Sequence, residues 1–165
     1  MLEAYRQHAA ERAALGISPL PLSAKQTEEL IALLKTPPAG EEQFLVDLVT
    51  HRVPAGVDDA AKIKAAFLAK IAKGEESCAL ISKVKATELL GTMLGGFNIK
   101  ALIELLTSDE CGAAAVRGLK TTLLMFDYFH DVKELADQGN ANAKAVLHPG
   151  PMPSGSPRAR KCRRA

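Results

Sequence analysis

Proline and glycine cut this chain into short segments, and between the cuts apolar residues recur at the three-and-four spacing of a single helix face. The cuts are "ISPLPL" (17–22), "TPP" (36–38), Val53-Pro54, Gly74 and "GTMLGG" (91–96). No segment alternates apolar and polar residues as a half-buried strand must, and no β-branched or aromatic run is bounded by two-residue turns. The chain therefore reads as all-α.

The first helix is expected over Leu2 to Leu15, with Tyr5, Ala9 and Leu15 near one face and Gly16 as its left-handed stop. Ser23 and Gln26 have capping-box spacing before Leu30, Ile31, Leu33 and Leu34. A third helix, Glu41 to Arg52, carries Phe44, Leu45, Leu48 and Val49, and the short proline turn before it makes a hairpin. Asp58 or Asp59 opens the next, whose apolar face holds Ile63, Phe67, Leu68 and Ile71, with Lys70, Lys73 and Gly74 suiting its C-terminal end. Ser82 starts a helix through Val84, Leu89 and Leu90, and Asn98 caps one bearing Ile99, Leu102, Ile103 and Leu106. Ser108 begins another that leads through "AAAVRGLKTTLLMFDYF" (113–129), and Asp131 and Asn140 begin two short helices ending near Leu147.

Helix pairs thus recur at about 35 to 45 residues, the period of a HEAT-like α-solenoid of stacked helix hairpins. A plain bundle is the rival, but no pair sustains a heptad. Residues of the AVILMFWYC set make up 47% of the chain while aromatics are 4% and tryptophan is absent, so the core must be Ala, Leu, Ile and Val. Alanines 60, 61, 65, 66, 113, 114 and 115 would let helices approach closely. With 165 residues there is room for one domain. It is placed at 1–147, followed by a disordered, basic Pro/Gly/Arg-rich tail at 148–165.

Charge is unevenly spread. Five of the 21 basic residues (Arg158, Arg160, Lys161, Arg163, Arg164) fall in the last eight positions, which leaves 16 against 19 acidic residues in the body. That body is not a nucleic-acid binder, although the tail could hold RNA weakly through its phosphates. Cys78, Cys111 and Cys162 are odd in number and far apart, giving neither a disulfide framework nor a CxxC motif, and a reducing cytoplasm is the natural compartment. With no apolar leader or long apolar run, no membrane partner is expected.

Tempting motifs fall short of their chemistry. Gly91 and Gly96 have the outer spacing of a P-loop, but Phe97-Asn98 stand where Lys and Ser or Thr must follow, and no strand precedes the dinucleotide-type glycines. Gly91, Gly95 and Gly96 read as helix stops at a tight corner. His8, His51, His130 and His148 have no metal-ligand spacing, and Asp131 beside His130 is better explained as a cap. Glu28-Glu29, Glu41-Glu42 and Glu75-Glu76 point about 100° apart on a helix and read as solvated. Phe126 and Phe129 should share a core face, leaving Tyr128 as a candidate partner contact. No catalytic, cofactor-binding or metal-ligating residue is assigned.

Four segments in order carry a resemblance: "MLEAYRQHAAERAALGI", "LLKTPPAGEEQFLVDLVTHRVPAGVDDAAKIKAAFL", "AKGEESCALISKVKATELLGTMLGGFNIKALIELL" and "TLLMFDYFHDVKELADQGNANAKAVL". Residues 1 to about 147 resemble the N-terminal HEAT-like domain of bacterial aconitate hydratase B, and "TPPAGEEQF" and "LLGTMLGGFNI" make the likeness specific. The resemblance implies an enzyme family that isomerises citrate and isocitrate in the tricarboxylic acid cycle on a [4Fe-4S] cluster held in later domains. It implies for this chain an accessory, protein-interaction role without catalysis of its own, against aconitase catalytic domains or a homodimer partner. Since the family continues after Leu147 and this sequence turns to "HPGPMPSGSPRARKCRRA", a truncated or detached form is expected, or a non-catalytic subunit of an active assembly.

Overall fold

The computed structural model describes residues 1–148. Among them the order is α1 (Leu2–Ala14), α2 (Ala24–Lys35), α3 (Glu42–His51), α4 (Asp59–Lys73), α5 (Lys83–Gly91), α6 (Ile99–Leu105), α7 (Gly112–Thr121), a 3₁₀ turn (Leu123–Tyr128), α8 (Phe129–Asp137) and α9 (Ala141–Leu147). The described residues contain no strand, and their fold is all-α. Of the tail expected at 148–165, His148 is the C-cap of α9 and 149–165 lies outside the described residues.

Local chemistry sets most of the boundaries. Ser23 Oγ accepts from Gln26 N while Gln26 Oε1 accepts from Ser23 N at 2.9 Å, a complete capping box worth about 1 kcal/mol. Ser82 and Asn140 cap α5 and α9 by accepting from Lys85 N and Ala143 N. Gly16 and Gly74 end α1 and α4 with φ of 70° and 79°, a region closed to most side chains.

Successive helices pack as neighbours: α2 on α3, α4 on α5, α6 on α7 and α8 on α9. The pairs are joined by α2 against α4, α5 against α7 and α7 against α9. The shared core is aliphatic, with Leu30, Leu34, Leu45, Leu68, Leu90, Leu102 and Leu106 fully buried beside Ala61, Ala86 and Ala115. Arg52 ties α1 and the proline-rich link onto the end of α3: its Nε donates to Tyr5 Oη at 2.7 Å, its guanidinium donates to the Pro19 carbonyl, and its own carbonyl accepts from Leu22 N.

Several expectations are corrected. Leu15 is exposed, because α1 ends one residue earlier and turns away. Asp58 occupies the N-cap of α4 without a side-chain capping bond, and Asp131 lies in the first turn of α8, whose N-cap is Tyr128. Ser108 accepts from Cys111 N in a turn, so α7 starts only at Gly112. The long helix expected through 113–129 breaks at Thr122, which is extended (φ −105°, ψ 131°). Thr121 Oγ1 bonds back to the Gly118 carbonyl at 2.9 Å, a local alternative to the helical ladder, and a 3₁₀ turn follows. The tighter turn reverses the aromatic face: Phe126 and Phe129 are exposed and Tyr128 packs against the core. Of the glutamates read as solvated, Glu41 pairs with Arg6 and Glu76 with Lys35, joining α1 to α3 and α2 to the end of α4. Solvent screens such half-exposed pairs, so they position the helices more than they stabilise them.

The α5–α7 crossing is closed by two facing glycines. A Cβ on Gly118 would lie 2.9 Å from Gly91 Cα and 3.2 Å from Leu102 Cδ1. Alanine would add about 1 kcal/mol of helix propensity, but the backbones must separate. Gly118→Ala is therefore expected to lower the unfolding free energy by about 1–2 kcal/mol net, read from urea unfolding followed by circular dichroism.

Candidate functional site

The glycine stretch between α5 and α6 is a structural corner in which each glycine has its own reason. Gly91 is the last residue of α5 and the crossing point with Gly118, not a stop. Gly95 passes so close to the α3–α4 loop that an added Cβ would sit 1.9 Å from the Gly56 carbonyl oxygen. Gly96 takes φ of 87° and its carbonyl accepts from Ile99 N. A phosphate cradle needs free backbone N–H groups. Here Thr92, Met93 and Leu94 already donate to the carbonyls of Leu89, Leu90 and Ala55.

Asn98 does not cap α6 through its side chain. Its Nδ2 reaches back to the carbonyls of Leu90 (2.6 Å) and Met93 (3.2 Å), closing the end of α5, while Oδ1 is buried without a partner. The corner is thus a backbone-locked clamp. Its Leu94–Ala55 bond, 2.7 Å long, fixes the α5–α6 loop onto the α3–α4 loop.

That clamp presents a ridge. Val57 on one loop is 79% exposed and Leu94 on the other 71%, with Phe97 also exposed nearby in sequence. Apolar side chains on a rigid, backbone-bonded loop pair suit a protein contact, because little ordering entropy remains to be lost on binding.

Beside the ridge lies an open cavity of about 510 Å³ lined by Pro19, Pro21, Thr50, His51, Arg52, Val53, Pro54, Ala55, Lys64 and Thr92. Lys64 was not singled out by its sequence context, yet it is only 1% exposed. A signal existed: Lys64 falls between Ala61, Ala65 and Leu68 at helical spacing, on the face α4 buries. Its Nζ has one weak bond, 3.5 Å to the Thr50 carbonyl at the C-terminal end of α3. Burial pulls its pKa down to about 8.

The remaining candidates stay apart. His8 Nε2 accepts from Leu20 N, while His51, His130 and His148 are exposed. Among the described residues no group of three or more His, Cys, Asp or Glu could hold a metal ion. Cys78 donates to the Leu34 carbonyl and Cys111 to the Ala72 carbonyl. These two thiols do not make up the cysteine set that an iron–sulfur cluster requires, so the described residues do not fit that group. No helix among them is long and apolar enough to cross a membrane.

Fold and site together define an all-helical domain that offers an apolar ridge and a cationic cavity. The chain belongs to the aconitate hydratase B N-terminal domain family: the family model described as "Aconitate B N-terminal domain" matches residues 4–149. It is 61% identical over 147 residues to aconitate hydratase B of Pseudomonas aeruginosa and 58% identical over 147 residues to that of Escherichia coli, in each case across 89% of this chain and 17% of the relative. Aconitate hydratase B of Helicobacter pylori is 43% identical over 148 residues, 88% of this chain and 17% of the relative. The chain therefore spans about one sixth of the length of these relatives.

The buried ammonium gives a signed pH prediction. Below pH 8 Lys64 is charged in both folded and unfolded states, so the folded protein carries the full desolvation cost. Between about 8 and the unfolded value of 10.5 the folded state releases its proton first, so the cost fades as pH rises and is gone above that window. Lys64→Met, which keeps an unbranched stem, is expected to exceed the parent in stability below pH 8 by on the order of 2–3 kcal/mol. Urea titrations across pH should show this advantage shrinking as pH approaches 10.5.

Proposed function

We propose that this chain is an accessory protein-interaction domain of an aconitate hydratase B type enzyme, acting by shape and surface rather than by chemistry of its own. The observation that carries the reading is the exposed Val57–Leu94 ridge, on a chain that matches one sixth of its relatives. Its partner is the remainder of such an enzyme, the part that would hold the [4Fe-4S] cluster and interconvert citrate and isocitrate in the tricarboxylic acid cycle. The stacked pairs α2–α3, α4–α5, α6–α7 and α8–α9 act as a HEAT-like scaffold, in which each hairpin holds the next and the loop ends are left for contact. Among the described residues Cys78 and Cys111 are free thiols, which suits work in a reducing cytoplasm.

The test mixes the purified chain with the part of the Pseudomonas aeruginosa aconitate hydratase B that lies beyond the matched segment. Association by ultracentrifugation is expected, together with altered citrate-to-isocitrate conversion, while this chain alone converts nothing. Val57→Asp with Leu94→Asp, both at exposed positions, should weaken association about tenfold or more. Absence of association, or association indifferent to both substitutions, overturns the proposal.

A further inference from the structure

Two cations, Arg52 and Lys64, line one cavity at the end of α3, and no carboxylate is among its lining residues. Neither Lys64 nor Arg52 belongs to any ion pair among the described residues. Asp47 lines an adjoining groove that shares Pro19, His51 and Arg52, but it accepts from Gln43 Nε2 instead. The other cations at element junctions are treated differently: Arg6, Lys35, Lys73 and Arg117 each have a glutamate.

The hydrogen-bond inventory of the pair is also incomplete. An ammonium has three N–H donors, and Lys64 uses one at 3.5 Å, beyond the usual 2.7–3.2 Å range of a protein hydrogen bond. A guanidinium has five, and Arg52 uses Nε on Tyr5 Oη and Nη2 on the Pro19 carbonyl. These two bonds hold the guanidinium plane in place, so its other donors are presented without further ordering. Burying an ammonium costs several kcal/mol unless an opposite charge is near. An apolar residue of the same length would serve the fold better than a lysine that only holds the Thr50 carbonyl, so packing does not account for an ammonium at this position.

We propose that this cavity is a binding site for a small oxyanion, carboxylate or phosphate, held between the Lys64 ammonium and the Arg52 guanidinium. About 510 Å³ admits a small multivalent anion, and the mouth is open to solvent. His51, on the rim, adds a ring that can donate when protonated. The apolar walls, Val53, Pro54 and Ala55, keep the local dielectric low, which strengthens a charge-assisted bond relative to water.

The test titrates the full chain with inorganic phosphate, succinate and citrate against a chloride control at matched ionic strength, followed by calorimetry and by amide chemical shifts. Saturable binding at one site per chain is expected, with shifts centred on Thr50 to Ala55 and Lys64, and the tighter of the phosphate and carboxylate arms identifies the source. Lys64→Met and Arg52→Gln should each weaken it about tenfold or more, while Lys100→Met, at an exposed position on α6, leaves it unchanged. Lys64→Met is expected to fold at least as well as the parent, so its loss of binding is not a loss of structure, and it retains Val57 and Leu94, so the ridge contact can be scored separately. Shifts no larger than those from chloride, or binding that survives Lys64→Met, overturn the proposal.

Discussion

No helix here can stand by itself. The helices run from seven residues in α6 and α9 to fifteen in α4, lengths at which an isolated helix is marginal in water. Each therefore depends on covering its apolar face with a neighbour, and the order of packing follows the order of the chain closely enough that each pair is both supported and supporting. The facing glycines 91 and 118 and the small side chains Ala61, Ala65, Ala86 and Ala115 let this happen at short range. Close approach takes the place of bulky aromatic packing in a chain with no tryptophan.

Lys64 is where the molecule departs from that logic. Every neighbouring position on the inner face of α4 is alanine, leucine, isoleucine or phenylalanine, and a methionine would satisfy the same volume without a charge. Retaining an ammonium there lowers the stability of the folded state, as buried charge does in general. Thr27, Thr87 and Asn98 are also buried, but Lys64 is the one buried side chain among the described residues that carries a charge, which marks its position for something other than packing. The lack of a protein carboxylate beside it points outward, toward an anion that arrives from solution.

What could be read from the sequence follows from which signals are local. Caps are local, so Ser23, Ser82 and Asn140 were legible, as were the left-handed stops at Gly16 and Gly74. The apolar stripes of α2 to α6 were legible because one face repeats at helical spacing. Asn98 was misread because its partners, the carbonyls of Leu90 and Met93, lie behind it in the preceding turn rather than ahead in its own helix. Phe126 and Phe129 were placed inside by a period of 3.6 that a 3₁₀ turn does not have. Gly95 was illegible because its constraint, the Gly56 carbonyl, lies some 40 residues away in the chain; the helical spacing of Lys64 signalled its burial, but not its partner, the Thr50 carbonyl 14 residues back, which only tertiary structure brings near.

Ridge and cavity are two faces of one junction. Ala55 contributes its carbonyl to the bond with Leu94 and also lines the cavity, and Thr92, at the end of α5, lines the cavity three residues before Gly95 seats against Gly56. A protein surface laid on Val57 and Leu94 would rest on the same two loops that contribute Ala55 and Thr92 to the cavity wall. Any water that such a contact displaced from the cavity would lower the effective dielectric around Lys64 and Arg52, which raises the cost of leaving them uncompensated and strengthens their attraction for an anion. Partner and anion would then favour one another's binding, because linkage between two sites acts in both directions. The coupling needs no moving part: it follows from placing an apolar contact on two loops that also contribute walls to the cavity of Lys64 and Arg52.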